Sequence, residues 1–412
     1  MKYRFLFFLF FCFPLFAFHV KEQEISRMDK PATIKILLEK NSNGVFLEAR
    51  GPFVVYNPQN GKKLSLGHRG KRSCCYPHNK GIKWGEDFPG IFQLQIEPTS
   101  SDTTFLVNGV QYRGAIGIYH IEDMMNVVNE VDVESFIKSV LSESINHSLS
   151  RHVLEAIAMI ARTNAYYLAL ANKEAFWHVT AKEVGYQGIG LTLQNLAIES
   201  AIDNTRYHIM LYEEQPFPSS WTQHCSGKTA NYESIFRKNI STPDGITSPF
   251  AMHSRLDTYW SFTLDTQELA KIVKTNRVTG IKLFMDHLSE KVYAIRIFDG
   301  TYSEDVSFQD LQGALGKERL KSNDFIVTIK SNLATFQGYG EGIGVGLCIY
   351  SALQMEERGD TAPQILSTFF PCTQIEKMRV YPECVISAQN KRTFISPKQQ
   401  RIIGKKHKLL HK

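Results

Sequence analysis

Glu143 and Arg162 are the residues whose type and spacing come nearest to an acid/base pair in this chain. Glu143 lies in a short polar elbow, Ser142-Glu143-Ser144, between two apolar-periodic runs, and Arg162 follows within the second run. A carboxyl at a helix C-terminus, partly buried by the next helix, is expected to be pushed towards its protonated form by desolvation and by the negative end of the helix dipole. Such a group can hold a proton at neutral pH and serve as a general acid. An arginine on an apolar helix must find a partner. It either pairs with a core carboxylate or orients the acid. A solvated helix glutamate is the plain alternative for Glu143.

Two further stretches carry chemistry-bearing side chains. Trp221-Thr-Gln-His224-Cys225-Ser226-Gly227-Lys228-Thr229 is a polar cluster between strands. His224 and Cys225 are weak candidates for zinc, with His178 or His253 as distant partners, because no second local pair completes a tetrahedral set. The expectation is therefore no cofactor, with zinc as the only metal considered. Gly338-Tyr-Gly340-Glu-Gly342-Ile-Gly344-Val-Gly346 alternates glycine with larger residues. It is neither a dinucleotide fingerprint nor a P-loop. Alternate glycines would let one face of an extended strand meet a flat sugar ring or another backbone closely.

The elements that must position these residues can be read from pattern. Asp132 caps a helix from Val133 to about Ser144, and Ser150 caps a longer one from Arg151 to about Ala171. On the longer helix Val153, Ile157, Ile160 and Ala161 recur at helical spacing. Further helices are expected over 190–203, over 264–274 with Asp265 or Thr266 as cap, and over 347–358. Strands are expected at 34–37, 45–48, 53–56, 115–119, 206–212, 219–224, 278–285 and 292–298, with Asn60-Gly61 marking a turn. Residues 64–89 read as an irregular excursion and the chain after about 376 as an appended tail. Strands and helices mix without regular alternation, so the fold class is α+β, around a substrate cleft.

Composition sets the compartment and the partners. The net charge is +6, but residues 397–412 hold six basic side chains and no acid. The body is then close to neutral, which gives no reason to expect nucleic acid as a partner. Lys2 and Arg4 precede an apolar run from Phe5 to Phe18 that suits a signal peptide better than a membrane span. The expectation from this run is export. Cys12 falls inside the signal, and six cysteines remain, an even number compatible with disulfides after export.

Taken together these motifs resemble the stage II sporulation protein D family, also called the amidase-enhancer (SpoIID/LytB) family, which acts on peptidoglycan. The resemblance rests on Phe53-Val-Val-Tyr-Asn-Pro-Gln-Asn-Gly-Lys62, Tyr112-Arg113-Gly114, Val128-Asn129 ahead of Glu134-x-Phe136, and Val153-Leu-Glu-Ala-Ile-Ala-Met-Ile-Ala-Arg-Thr163. Gly342-Ile-Gly-Val-Gly-Leu-Cys-Ile-Tyr-Ser-Ala352 and the segment from Ile365 to Pro371 complete it. It covers about residues 33–375 and divides the chain into a signal at 1–18, a strand-rich part at 33–120, a core at 121–375 and an extension at 376–412. Ile343, Ile349 and Gln312 stand where the family has His, Gln and Arg. The ungapped family frame puts the catalytic glutamate at Ser144, one residue after Glu143, and one residue turns a helical side chain by about 100°.

The resemblance implies the periplasm or cell envelope as the destination, and a lytic transglycosylase with Glu143 and Arg162 catalytic. Ser144, Lys228, Thr229, Gly340, Gly342 and Gly344 would then bind the glycan. It also implies an alternative, a non-catalytic peptidoglycan-binding module that stimulates a cell-wall amidase. A third reading keeps the fold and leaves the ancestral cleft purely structural.

Overall fold

The computed structural model describes residues 31–145, 148–189 and 195–380. The expected signal peptide, Cys12, Cys384 and the basic tail lie outside them. Strands and helices are mixed, as the α+β expectation has it, and among the described residues strands outnumber helices.

The N-terminal part consists of two sheets that share one core. The first has seven strands in the order Val179–Thr180, Thr33–Ser42, Met124–Asp132, Ala115–Ile121, Gln93–Pro98, Phe53–Asn57 and Lys62–Gly67. The second has six, in the order Val110–Tyr112, Thr104–Val107, Val45–Arg50, Lys71–His78, Gly81–Trp84 and Glu86–Pro89. Alternation dictates the inward faces: Ile34 and Ile36 on one strand and Val45, Leu47 and Ala49 on another are buried. They meet Phe53, Trp84, Ile96 and Phe105 in the shared core. The indole of Trp84 lies 5.3 Å from the Phe53 ring and donates to Leu47 O at 3.1 Å.

Residues 64–89 are therefore not an irregular excursion. The stretch supplies the edge of one sheet and three successive strands of the other. Its Lys, Arg and Gly content disguised it, because those strands bury only one side and some lie at an edge.

The segment that carries the family motifs is assembled from the strand Met124–Asp132 onwards. Asn129 is fully buried and donates to Arg113 O at 2.8 Å and Ala115 O at 3.0 Å, while Tyr186 donates to its Oδ1 at 2.7 Å. Gly114 has φ +80°, and a Cβ there would sit 2.2 Å from Glu130 O. The Tyr-Arg-Gly and Val-Asn motifs thus meet across one strand pair. Asp132 then accepts from Ser135 N at 2.9 Å and starts the elbow helix, Val133–Ser144, as expected.

The long helix, Arg151–Ala171, also has the expected bounds. Its cap differs. The Ser150 side chain accepts no hydrogen bond from the first turn but donates to Glu356, and the Glu356 carboxylate accepts from His152 N and Val153 N at 3.1 Å each. A carboxylate from the far end of the chain satisfies the orphan donors of the first turn. The helix packs against Leu196–Asn204, the elbow helix and the C-terminal helix Ala362–Phe369.

Residues 260–338 form a unit with a core of its own. Two three-stranded antiparallel sheets and the helices Thr266–Ile272 and Phe308–Leu315 surround Trp260, Leu269, Ile295, Phe308, Phe325 and Phe336. Asp265 caps the first of these helices through Gln267 N. The unit leaves and rejoins the rest of the chain on neighbouring strands, with Trp260 opposite Gly338.

The strand Gln374–Lys377 crosses the expected boundary at 376. It pairs antiparallel with His208–Leu211, and Ala32 N donates to Arg379 O at 3.0 Å. The chain up to 380 is thus woven into the first core and is not appended to it. None of the described helices is long and apolar enough to cross a membrane.

Candidate functional site

The elbow helix runs unbroken through Ser144, and Ile145 N closes it on Leu141 O at 2.9 Å. Glu143 and Ser144 are both exposed, which corrects the expectation of a partly buried acid. One Glu143 oxygen accepts from Gln187 Nε2 at 2.9 Å. Sequence reading missed Gln187, which has no motif of its own; it follows the short helix Ala181–Val184.

Arg162 is not beside Glu143. It is fully buried, and its guanidinium forms a two-pronged pair with Glu134, Nε to Oε1 and Nη2 to Oε2, both at 2.8 Å. Nη1 donates to His208 O at 3.0 Å, and Glu134 also accepts from Tyr207 N at 3.3 Å. Thr163 accepts from Met210 N at 2.9 Å. The Ala-Arg-Thr motif therefore clamps the strand His208–Leu211 onto the long helix and the first turn of the elbow helix. Of the two sequence-level roles for Arg162, pairing with a core carboxylate is the one found. Glu134 was visible only as half of Glu-x-Phe, and its partner identity needed the fold.

A cleft of about 380 Å³ opens beside this ion pair, lined by Glu134, Lys138, Tyr166, Glu199, Arg206 and Tyr207 among others. Its charges are largely matched: Lys138 meets Glu199 at 2.5 Å and Arg206 meets Asp203 at 3.9 Å. Glu143 does not line it.

The glycine run is not an extended strand. Gly340, Gly342, Gly344 and Gly346 all have positive φ, between +65° and +102°. Their Cα atoms face protein. A Cβ would lie 2.5 Å from His224 O at Gly340, 2.2 Å from Thr222 Oγ1 at Gly342, 3.0 Å from Asn323 Oδ1 at Gly344 and 2.0 Å from Ser220 O at Gly346. The glycines permit close backbone packing against residues 220–226, through the pairing of His224 with Glu341 and the short parallel ladder of Trp221–Thr222 with Leu347–Cys348. Ile343, in the place of the family's histidine, packs against the core of the 260–338 unit. Gln312 donates to Leu320 O at 2.7 Å inside that unit.

The 224–229 cluster is a tight polar joint. His224 accepts from Ser226 N at Nδ1, 3.0 Å, so its Nε2 carries the proton and donates to Ser254 Oγ at 2.9 Å. Burial, helped by the nearby Lys291 cation, holds its pKa below the ordinary imidazole range. Lys291 is 2% exposed and donates to Cys225 O at 2.8 Å, Ser226 Oγ at 2.7 Å and Asp324 Oδ2 at 3.3 Å. Burial lowers the Lys291 pKa, and the Asp324 carboxylate opposes that shift. Arg255 closes the network on Asp324 at 3.2 Å. Nothing local in the sequence marks Lys291 as buried.

Lys228 pairs with exposed Glu290 at 3.0 Å, and buried Thr229 exchanges hydrogen bonds with Ile246. Among the described residues no hydrogen bond or ion pair joins Glu143 or Ser144 to Lys228, Thr229 or the glycines. Both His224 ring nitrogens are engaged, His178 accepts from Lys35 N at 3.1 Å, and His253 is exposed. Among the described residues no three His, Cys, Asp or Glu side chains are grouped to hold a metal ion.

Comparison with known proteins agrees with the motif-bearing segment. Residues 122–212, which include the elbow, both helices and the strand clamped by Arg162, match the SpoIID family, described as stage II sporulation protein. An uncharacterized protein of Chlamydia muridarum is 37% identical over 174 residues, 42% of this chain and 60% of that protein. An uncharacterized protein of Brachyspira hyodysenteriae is 25% identical over 330 residues, 79% of this chain and 87% of its own length. The stage II sporulation protein D of Bacillus subtilis is 23% identical over 266 residues, 61% of this chain and 76% of its length. The chain spans about three fifths of the length of the chlamydial relatives it matches. Residues 122–212 thus match the stage II sporulation protein family model, and the chain as a whole is similar to a stage II sporulation protein D.

Proposed function

We propose that this protein acts on the glycan strands of peptidoglycan in the cell envelope, as a lytic transglycosylase with Glu143 as its single acid/base. The observation that carries the reading is the position of Glu143 within the matched 122–212 segment. Its carboxylate sits at the solvent end of the elbow helix, with one oxygen held by Gln187 and no partner for the other among the described residues. Ordinary glycosidases need two carboxylates. In this reaction the C6 hydroxyl of the muramic sugar attacks its own C1, so one carboxylate suffices. Glu143 donates its proton to the departing glycosidic oxygen and then takes the proton of that hydroxyl, which closes the anhydro ring and restores the acid. Arg162 has no part in these steps. Ser144, exposed beside Glu143, and half-buried Lys228 are the polar side chains from the family motifs that remain open to a sugar.

One observation favours the second reading, a non-catalytic glycan-binding module that stimulates an amidase. The helix runs through Ser144, so Glu143 keeps its bearing about 100° away from the family's catalytic position.

Purified peptidoglycan, with and without attached peptides, separates the two. Under the first reading the wild type releases anhydro-muramic products, detected by mass spectrometry, and Glu143→Gln lowers their rate about 10²–10⁴-fold. Wild-type protein that sediments with the wall but releases no sugar supports the second reading. Release by Glu143→Gln at the wild-type rate removes Glu143 from the mechanism.

A further inference from the structure

Cys225 and Cys348 stand 123 residues apart in sequence, and the fold brings them together in its interior, 1% and 0% exposed. Two backbone features do this. Thr222 sits opposite Cys348 in the parallel ladder, and Tyr350 N donates to Gln223 O at 3.1 Å. The Cys225 amide then donates to Cys348 Sγ at 3.2 Å, the Ser351 hydroxyl donates to the same sulfur at 3.5 Å, and the Cys225 thiol is hydrogen-bonded to it. Cys348 also stands at the N-cap position of the helix Ile349–Glu357, without a side-chain capping bond. The Cys225 amide and the Ser351 hydroxyl thus converge on Cys348 Sγ, which in turn reaches Gln223 O at 4.0 Å. Burial raises the Cys348 pKa, but the hydrogen bonds from Cys225 and Ser351 outweigh it and the net shift is downward. Sharing its proton with Cys348 pushes the Cys225 thiol up. A thiolate-prone sulfur in hydrogen-bond contact with a second thiol is the arrangement from which disulfides form.

We propose that Cys225 and Cys348 are a disulfide site, closed during folding by thiol–disulfide exchange with a small-molecule disulfide. The Cys348 thiolate attacks one sulfur of the reagent, forming a mixed disulfide and releasing one thiolate. The Cys225 sulfur, losing its proton to that leaving group, attacks Cys348 Sγ and expels the second thiolate. The two cysteines are oxidised, the reagent's disulfide is reduced to two thiols, and both cysteine protons end on them. The link ties the Ser226–Thr229 segment to the first turn of the helix after the glycine run. It rests on the envelope reading only for where the chain meets an oxidant.

The test refolds the full chain in a buffer of oxidised and reduced glutathione, alkylates free thiols, and maps peptides by mass spectrometry. The expected product is a peptide linking Cys225 to Cys348, lost in Cys225→Ser and in Cys348→Ser. The linked wild type should also unfold at higher urea than the same protein after reduction. Wild-type protein that folds in this buffer with both sulfurs alkylated, or with either cysteine joined to Cys74, Cys75 or Cys372, overturns the proposal. Because the readout is a peptide, it stands apart from the sugar-release assay: Glu143→Gln leaves the linked peptide in place.

Discussion

Replacing Arg162 with methionine separates the two roles that an arginine on this helix can have. Methionine keeps most of the side-chain length and its apolar packing and removes the charge and all five donors. The structure then leaves Glu134, whose side chain is 11% exposed, without its two 2.8 Å partners, and His208 O without its donor. Removing one member of a buried, hydrogen-bonded ion pair costs about 3–5 kcal/mol, because the remaining charge stays desolvated and unpaired. Glu134→Gln alone should cost a similar amount, leaving a buried guanidinium without its counter-charge. The double variant Glu134→Gln/Arg162→Met should be less damaged than the sum of the singles, since neither charge is then stranded. Urea unfolding followed by far-UV circular dichroism measures all four proteins. The strand His208–Leu211, clamped by this arginine, should lose amide-exchange protection first. An Arg162→Met protein within about 1 kcal/mol of wild type that nonetheless releases no sugar would refute the structural assignment and return Arg162 to the active site.

Two further predictions concern stability. His178 is held neutral by burial, with its pKa lowered to about 4 and its Nδ1 accepting from Lys35 N. Because its folded pKa lies below its unfolded one, the unfolded chain binds the proton first, and stability falls as pH drops from about 6.5 towards about 4. Urea midpoints measured across that range should lose part of their slope in His178→Asn, and an unchanged slope would exclude this histidine. Glu356→Ala removes the acceptor for Ser150, His152 N and Val153 N and should destabilise by about 1–3 kcal/mol. Exchange of the first-turn amides of the long helix should quicken first, and protection unchanged there would show that water replaces the carboxylate without cost.

The helix that ends with Glu143 and Ser144, and the one after it, were legible to the residue because their signals are local: an Asp cap, a 3.6-residue apolar period and a polar break. The Arg162 partner was not, since Glu134 lies on a different helix and no periodicity reports which carboxylate faces a buried cation. The glycine run shows the opposite failure. Its spacing of two invited a strand, but period two in glycine is also what alternating left-handed turns require, and only the neighbouring carbonyls of Ser220 and His224 decide between them. Residues 64–89 failed because strand patterning weakens where one face is solvated and basic. The separate core at 260–338 was hidden for a topological reason, since each of its strands reads like any other.

That unit has a consequence for how the rest of the molecule tolerates it. Its first and last residues are neighbours on paired strands, so to the remainder of the chain the whole excursion is equivalent to a tight turn between Tyr259 and Tyr339. Beyond those ends, buried Lys291 anchors it to Cys225 O and Ser226. A segment attached in this way can change length while the first core keeps its register, provided Lys291 still reaches across the joint.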